Sequence, residues 1–181
     1  MNKWLIPVAA MSVAMLALTM SGASEVPANL APSPAPEQPI PFSHKKHVAM
    51  GLPCTGCHTN PDPGRQMGFP PTQTCMGCHS SIATDKPSII RLTELSKAGD
   101  IPWVRVYELT PGVAWNHRTH LRAGMQCVMC HGQVAEIEPM RKVTSITAMA
   151  SCIGCHQAHG AKISCHICHA WPTEQQRSGA Q

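Results

Sequence analysis

The sequence predicts a mainly α, irregular fold: short helices and loops with little or no β structure, wrapped around something other than their own side chains. Three observations lead there. Leu, Ile, Val and Phe supply only 26 of the 158 residues from 24 to 181, about 16 percent, a fraction that goes with disorder when charge is high. Charge is not high, at 13 percent charged residues, so a core must come from elsewhere. Seventeen prolines and 13 glycines interrupt any long helix or strand. Finally, all ten cysteines fall into five copies of one motif, C-x-x-C-H.

The copies are Cys54-x-x-Cys57-His58, Cys75-x-x-Cys78-His79, Cys127-x-x-Cys130-His131, Cys152-x-x-Cys155-His156 and Cys165-x-x-Cys168-His169. A lone C-x-x-C is often a thioredoxin-like redox pair or half of a zinc site. Neither chemistry requires a histidine directly after the second cysteine every time. Attachment of c-type haem does: two thioethers anchor the porphyrin and the adjoining imidazole reaches the iron. Five haem c groups are therefore expected, with His58, His79, His131, His156 and His169 as proximal ligands. Five large apolar macrocycles, each tethered at three points, would also supply the missing core.

An internal repeat assigns the other faces of the irons. His44, His47 and Cys54 lie 73 residues before His117, His120 and Cys127, so each pair of histidines stands ten and seven residues ahead of an attachment site. Shared spacing marks these four as candidate distal ligands rather than solvated surface histidines. Eleven histidines less five proximal ones leave six for five distal positions. For the fifth iron His159 is preferred to His166, which is confined between the two thioether anchors of its own motif. The methionines read as haem-packing side chains.

In chain order, Asn2 and Lys3 precede an apolar run from 4 to 20, and Ser21-Gly22-Ala23 is a small-x-small cleavage signal, so residues 1–23 read as a signal peptide. The competing reading is an uncleaved anchor, since seventeen residues is at the short edge of a membrane span. Residues 24–41, with six prolines, read as an extended linker with few ways to pack. A pentahaem domain then covers 42–172. Its first module is 42–81, with a Pro/Gly loop at Pro61-Asp62-Pro63-Gly64 and Gly68-Phe69-Pro70-Pro71 between its two sites. A connecting helix is expected at 87–97: Pro87 suits a first turn, Ile89, Leu92 and Leu95 share a face, and Gly99 can close the end. Residues 101–109 read as extended. A second module spans 113–158, the fifth site 159–172, and a polar tail 173–181.

Charge narrows the partners. The formal +4 suggests nucleic acid, but without Lys3 the chain keeps 13 basic and 10 acidic residues, and five haems would add about ten propionate charges. A holoprotein that is net negative, with no basic run, does not bind nucleic acid. With every cysteine used by a haem motif, attachment must be completed outside the cytoplasmic membrane, which places the protein in the periplasm. Membrane association would come through partners or an uncleaved leader.

Phe42-Ser43-His44-x-x-His47 ahead of Cys54-x-x-Cys57-His58 resembles the class III multihaem cytochromes, the c3 and c7 group. That resemblance implies that the two histidines serve different haems. Residues Ile101-Pro102-Trp103-Val104-Arg105-Val106-Tyr107, with Asn116-His117-x-x-His120, Cys130-His131-Gly132 and Cys155-His156, are similar to the pentahaem subunits of alternative complex III and the multihaem subunits of menaquinone reductase complexes. In such proteins electrons pass between membrane quinol machinery and other redox centres. This chain departs from them in carrying Tyr107 where relatives often have His, and in its compact fifth site and short tail.

The reading is an exported pentahaem cytochrome that conducts single electrons in a respiratory chain linked to quinol oxidation or quinone reduction, with redox proteins or a membrane quinol oxidoreductase complex as partners. It is a carrier, not an enzyme. Cofactors do the redox chemistry, while ligand identity and burial tune it. The alternative from another class is a periplasmic multihaem reductase with one open haem iron.

Overall fold

The first module opens with a helix too short to stand alone, and its N-terminus shows what holds it. Ser43 accepts a hydrogen bond at Oγ from the Lys46 amide, 3.1 Å away, and so caps α1, His44–Ala49. This computed structural model describes residues 26–59 and 66–170. The leader at 1–23, the loop at 61–64 and the tail at 173–181 lie outside the described residues. The remaining helices are α2 (Cys54–Cys57), α3 (Thr72–His79), α4 (Pro87–Ala98), α5 (His117–Arg122), α6 (Cys127–His131), α7 (Met149–Ala158) and α8 (Cys165–Cys168), with a 3-10 turn at Val134–Glu136. Among the described residues the only β structure is two isolated bridges, Ala28 with Thr144 and Val113 with His169. The fold is helical and irregular, and no described helix is long and apolar enough to cross a membrane.

Helix α4 follows the pattern of its sequence. Pro87 occupies its first turn, Leu92 is its buried residue, and Gly99, at φ +130°, ends it while its amide bonds to the Leu95 carbonyl. Leu92 packs with Ile40 and Ile101, and Cys75 and Met76 of α3 border the same cluster. Burying a leucine this fully contributes about 1.5–3 kcal/mol. The apolar face of α4 is thus spent on the helix that carries the second C-x-x-C pair. Thr72 locks the joint from the polar side: its hydroxyl donates to the Gly99 carbonyl at 2.9 Å and accepts from the Ile101 amide at 3.0 Å. Its own amide donates to Asp100 Oδ1 at 2.8 Å.

One segment packs where composition suggests freedom, and another stays extended as its sequence reads. Although rich in proline, the described part of the 24–41 stretch, from 26 on, is pinned to the second module. The Val26 amide donates to the Met129 carbonyl, the Asn29 amide to Val143, and the Ser145 amide to Pro27. Val26 and Ile40 are buried. Extended backbone has no partner within its own segment, so its amides at 26 and 29 and its carbonyl at 27 pair with an irregular neighbour. The extended 101–109 segment likewise takes no neighbouring strand. The side-chain amide of Gln38 stands in for one, accepting from the Val104 amide and donating to its carbonyl, both at 2.9 Å.

Candidate haem-binding sites

Each site begins with a C-x-x-C pair on a single helical turn, where residues three apart project from one face. Helices α2, α3, α6, α7 and α8 each carry one such pair, and none of the ten cysteines is in a disulfide. Among the described residues no group of three or more His, Cys, Asp or Glu side chains converges to hold a bare metal ion, which a zinc site would require. What converges instead is histidines, in pairs.

His44 lies opposite His58 with ring centres 6.3 Å apart and planes 12° from parallel. The second module repeats this with His117 and His131, 6.3 Å apart at 9°. The other histidine of each short helix reaches the second attachment site of its own module: His47 stands 6.2 Å from His79, and His120 stands 6.1 Å from His156. Two imidazoles bound through Nε2 to opposite sides of one metal atom, with bonds of about 2 Å and ring centres about 1.2 Å behind the nitrogens, hold those centres about 6.3 Å apart. All four ring-centre separations match that span.

Hydrogen bonds at the back of the rings say which nitrogen is offered. The Nδ1 atoms of His58, His79 and His156 face the carbonyls of Gly68, Ile82 and Lys162 at 3.0, 3.0 and 2.7 Å. Those of His47 and His120 face the carbonyls of Ser43 and Asn116 at 2.8 and 2.9 Å. A carbonyl can only accept, so each Nδ1 carries the proton and each Nε2 keeps its lone pair for a metal. Burial, with His117 and His58 nearby, lowers the pKa of His131 to about 4. Burial, followed by His58 and His47, also pulls His44 down. Both shifts favour the neutral ring, the form that ligates.

The paired histidines depend on flanking residues, most of them quoted in the motifs above without a role of their own, and on Trp115, which motif reading passed over. Phe42 stacks on His47 at 4.4 Å and meets His44 edge-on at 4.9 Å. Trp115, 73 residues later, stacks on His120 at 5.1 Å and meets His117 edge-on at 4.2 Å. Asn116 repeats Ser43, capping α5 through the Thr119 amide at 2.8 Å. The 73-residue offset was the signal, hidden by the change of residue type. Tyr107 is a further such residue. Its hydroxyl accepts from the amides of Val143 and Thr144 at 2.8 and 3.2 Å, and its ring meets His131 edge-on at 5.1 Å. Of the remaining candidates, His159 caps the C-terminus of α7, His166 lies within α8, and both are exposed. His169 bridges to Val113.

Ring pairs spaced for an iron, each beside cysteines on one turn, define a multihaem c-type cytochrome, a protein that carries covalently attached haem c and moves electrons rather than catalysing a reaction of its own. The chain belongs to the class III cytochrome c family. The family described as "Class III cytochrome C family" matches residues 20–98, which include the first module. The chain is also 30% identical, over 162 aligned positions, to the "Menaquinone reductase, multiheme cytochrome c subunit" of Nitratidesulfovibrio vulgaris, covering 74% of this chain and 77% of that protein.

Proposed function

We propose that this chain is an exported pentahaem electron conduit serving a membrane complex that exchanges electrons with the quinone pool, as the name of its menaquinone reductase relative suggests. The observation that carries the reading is the set of four imidazole pairs, each closed on both sides at the span of one iron. An iron held by two imidazoles has no exchangeable position and can pass an electron without binding substrate. Bound haem supplies one-electron redox chemistry; the chain supplies attachment, ligands and spacing.

The cysteine pairs anchor five haems, with His58, His79, His131, His156 and His169 proximal. His44, His47, His117 and His120 close the first four irons from the distal side. His159 closes the fifth, because His166 is tied between its own anchors. Protonated Nδ1 atoms bonded to carbonyls fix ring orientation and raise ligand basicity. Ligation by two histidines, without the Met that raises potential in other cytochromes c, keeps the potentials low. The net negative charge expected of a pentahaem holoprotein and the leader support a periplasmic protein held at the membrane by partners.

Mass and optical spectroscopy test this reading. Intact mass should equal residues 24–181 plus five haems, and the oxidised protein should be wholly low-spin. In His117→Ala five haems should remain attached, one iron should become high-spin, and carbon monoxide should bind once it is reduced. A high-spin haem in the unaltered protein would overturn the conduit and favour a reductase with an open iron.

A further inference from the structure

One extended segment brings to the first site polar groups that the protein itself does not satisfy. Side chains of extended backbone alternate between two faces, which puts Trp103 and Arg105 on the same one. Gln38 fixes the register by bonding both the amide and the carbonyl of Val104, whose own side chain is 43% exposed. On the inner face, Phe69 meets the Trp103 ring at 6.4 Å and lies under the Arg105 guanidinium at 4.7 Å. Phe69 also edges His58 at 6.2 Å, and the carbonyl of the adjoining Gly68 is the one that faces His58 Nδ1. Trp103 and Arg105 are thereby tied to the proximal histidine of the first site.

Neither polar group has the partner its chemistry calls for. Trp103 Nε1 is buried without a hydrogen-bond partner, and an indole N–H can only donate. Arg105 is half-buried and pairs with no carboxylate among the described residues. Its hydrogen bond to protein is a long one, from Nη1 to the Met67 carbonyl at 3.4 Å. A guanidinium at that depth is expected to meet an anion. The other buried side-chain nitrogen without a partner among the described residues is His44 Nδ1, on the distal side of the same site. Phe42 lies against both, 4.9 Å from the His44 ring and 6.1 Å from that of Trp103. What is short is acceptors, and the shortage is local to the first site.

We infer that Trp103 Nε1 and the Arg105 guanidinium together bind a propionate carboxylate of the haem at the first site. One carboxylate supplies both an acceptor for the indole N–H and a counter-ion for the guanidinium, and haem c presents its polar groups in that form. Trp103 and Arg105 are positioning residues, since neither ligates the iron. The guanidinium also acts on the redox equilibrium: a positive charge beside the porphyrin favours the ferrous iron, which carries one positive charge fewer. The inference rests on haem attachment at the first site, as proposed above.

Nuclear magnetic resonance of the intact, reduced holoprotein with isotope-labelled tryptophan tests it. Trp103→Phe, which removes the N–H and keeps a ring, assigns the Trp103 indole signal by its disappearance. His44→Met, which changes one axial ligand, marks the signals of the first haem. The Trp103 indole proton should exchange slowly with solvent and show cross-relaxation to the propionate methylenes of the haem so marked. Arg105→Gln should lower the midpoint of that haem by about 59 mV, a fall of about tenfold in its reduction constant. Arg105→Lys should restore most of it, which a merely structural role would not require. Cross-relaxation to the propionate of another haem, or to none, or an unmoved midpoint in Arg105→Gln, would overturn the inference. If Arg105→Gln fails to assemble, the indole measurement on the unaltered protein decides alone. A digest in which the peptide bearing Cys54 and Cys57 carries no haem would instead overturn the haem reading of the site, so the two failures are told apart.

Discussion

Replacing Tyr107 with phenylalanine removes one oxygen and leaves the ring that edges His131. The oxygen accepts from two backbone amides, Val143 at 2.8 Å and Thr144 at 3.2 Å. Thr144 is 5% exposed, and its hydroxyl donates to the Cys130 carbonyl at 2.7 Å, so this corner holds the third attachment helix. A buried amide left without an acceptor costs about 1–3 kcal/mol, and a half-buried one that water can reach about 1 kcal/mol. The loss should therefore be about 2–4 kcal/mol, equivalent to a fall in Tm of roughly 5–15 °C for a chain of this size. Guanidinium unfolding of the holoprotein, with haem attachment confirmed by mass, measures it; the midpoint should fall and the slope stay constant. A midpoint unchanged within about 0.5 kcal/mol would refute the reasoning, since a surface substitution does no more than that.

Ring planes lead to a spectroscopic expectation. Parallel imidazoles split the iron π orbitals and give a rhombic low-spin electron paramagnetic resonance signal, whereas crossed rings leave those orbitals nearly degenerate and give a strongly anisotropic one. The pairs at the first and third sites, at 12° and 9°, should give rhombic signals, and the pair at the second, at 67°, the most anisotropic; four identical signals would contradict these planes. Without haem, the chain should not fold. Its buried hydrophobics among the described residues are Val26, Ile40, Leu92 and Ile101, too few to offset the ordering entropy of the backbone, so circular dichroism of haem-free protein should show no cooperative melt.

What could be read in the sequence was whatever chemistry forces into short spacing. C-x-x-C-H must keep two anchors and a ligand within one turn, and the H-x-x-H pairs repeat at fixed distance from it, so both were visible without coordinates. Helix α4 was legible because Pro87, Leu92 and Gly99 each act locally. The partner of His47 was not, because nothing local says that a ring preceding the first site by seven residues must face His79, 32 residues further along the chain. Nor was the docking of residues 26–29, whose amides find carbonyls about a hundred residues away; proline content describes the freedom of such a segment but not its destination.

The two joints of the molecule are built to different standards, and that difference bears on conduction. Helix α1 is six residues long, below the length at which a helix persists by itself. Its register is fixed by the Ser43 cap, by the bond from His47 Nδ1 to the Ser43 carbonyl, and by Phe42 pressed against both imidazoles. Asn116 and Trp115 fix α5 in the same way. The two rings of each helix are thus locked before any metal arrives, and one rigid element sets the separation of the two sites within its module. Between modules no helix is shared: α1 rests on a 3-10 turn, with the backbone contact of Lys45 and Ile137 at 3.4 Å, long for a hydrogen bond, and residues 26–29 add backbone bonds to the second module. Spacing between the modules is therefore more adjustable than spacing within them. The same duplicated helix that makes each half stiff does not extend across the joint between them.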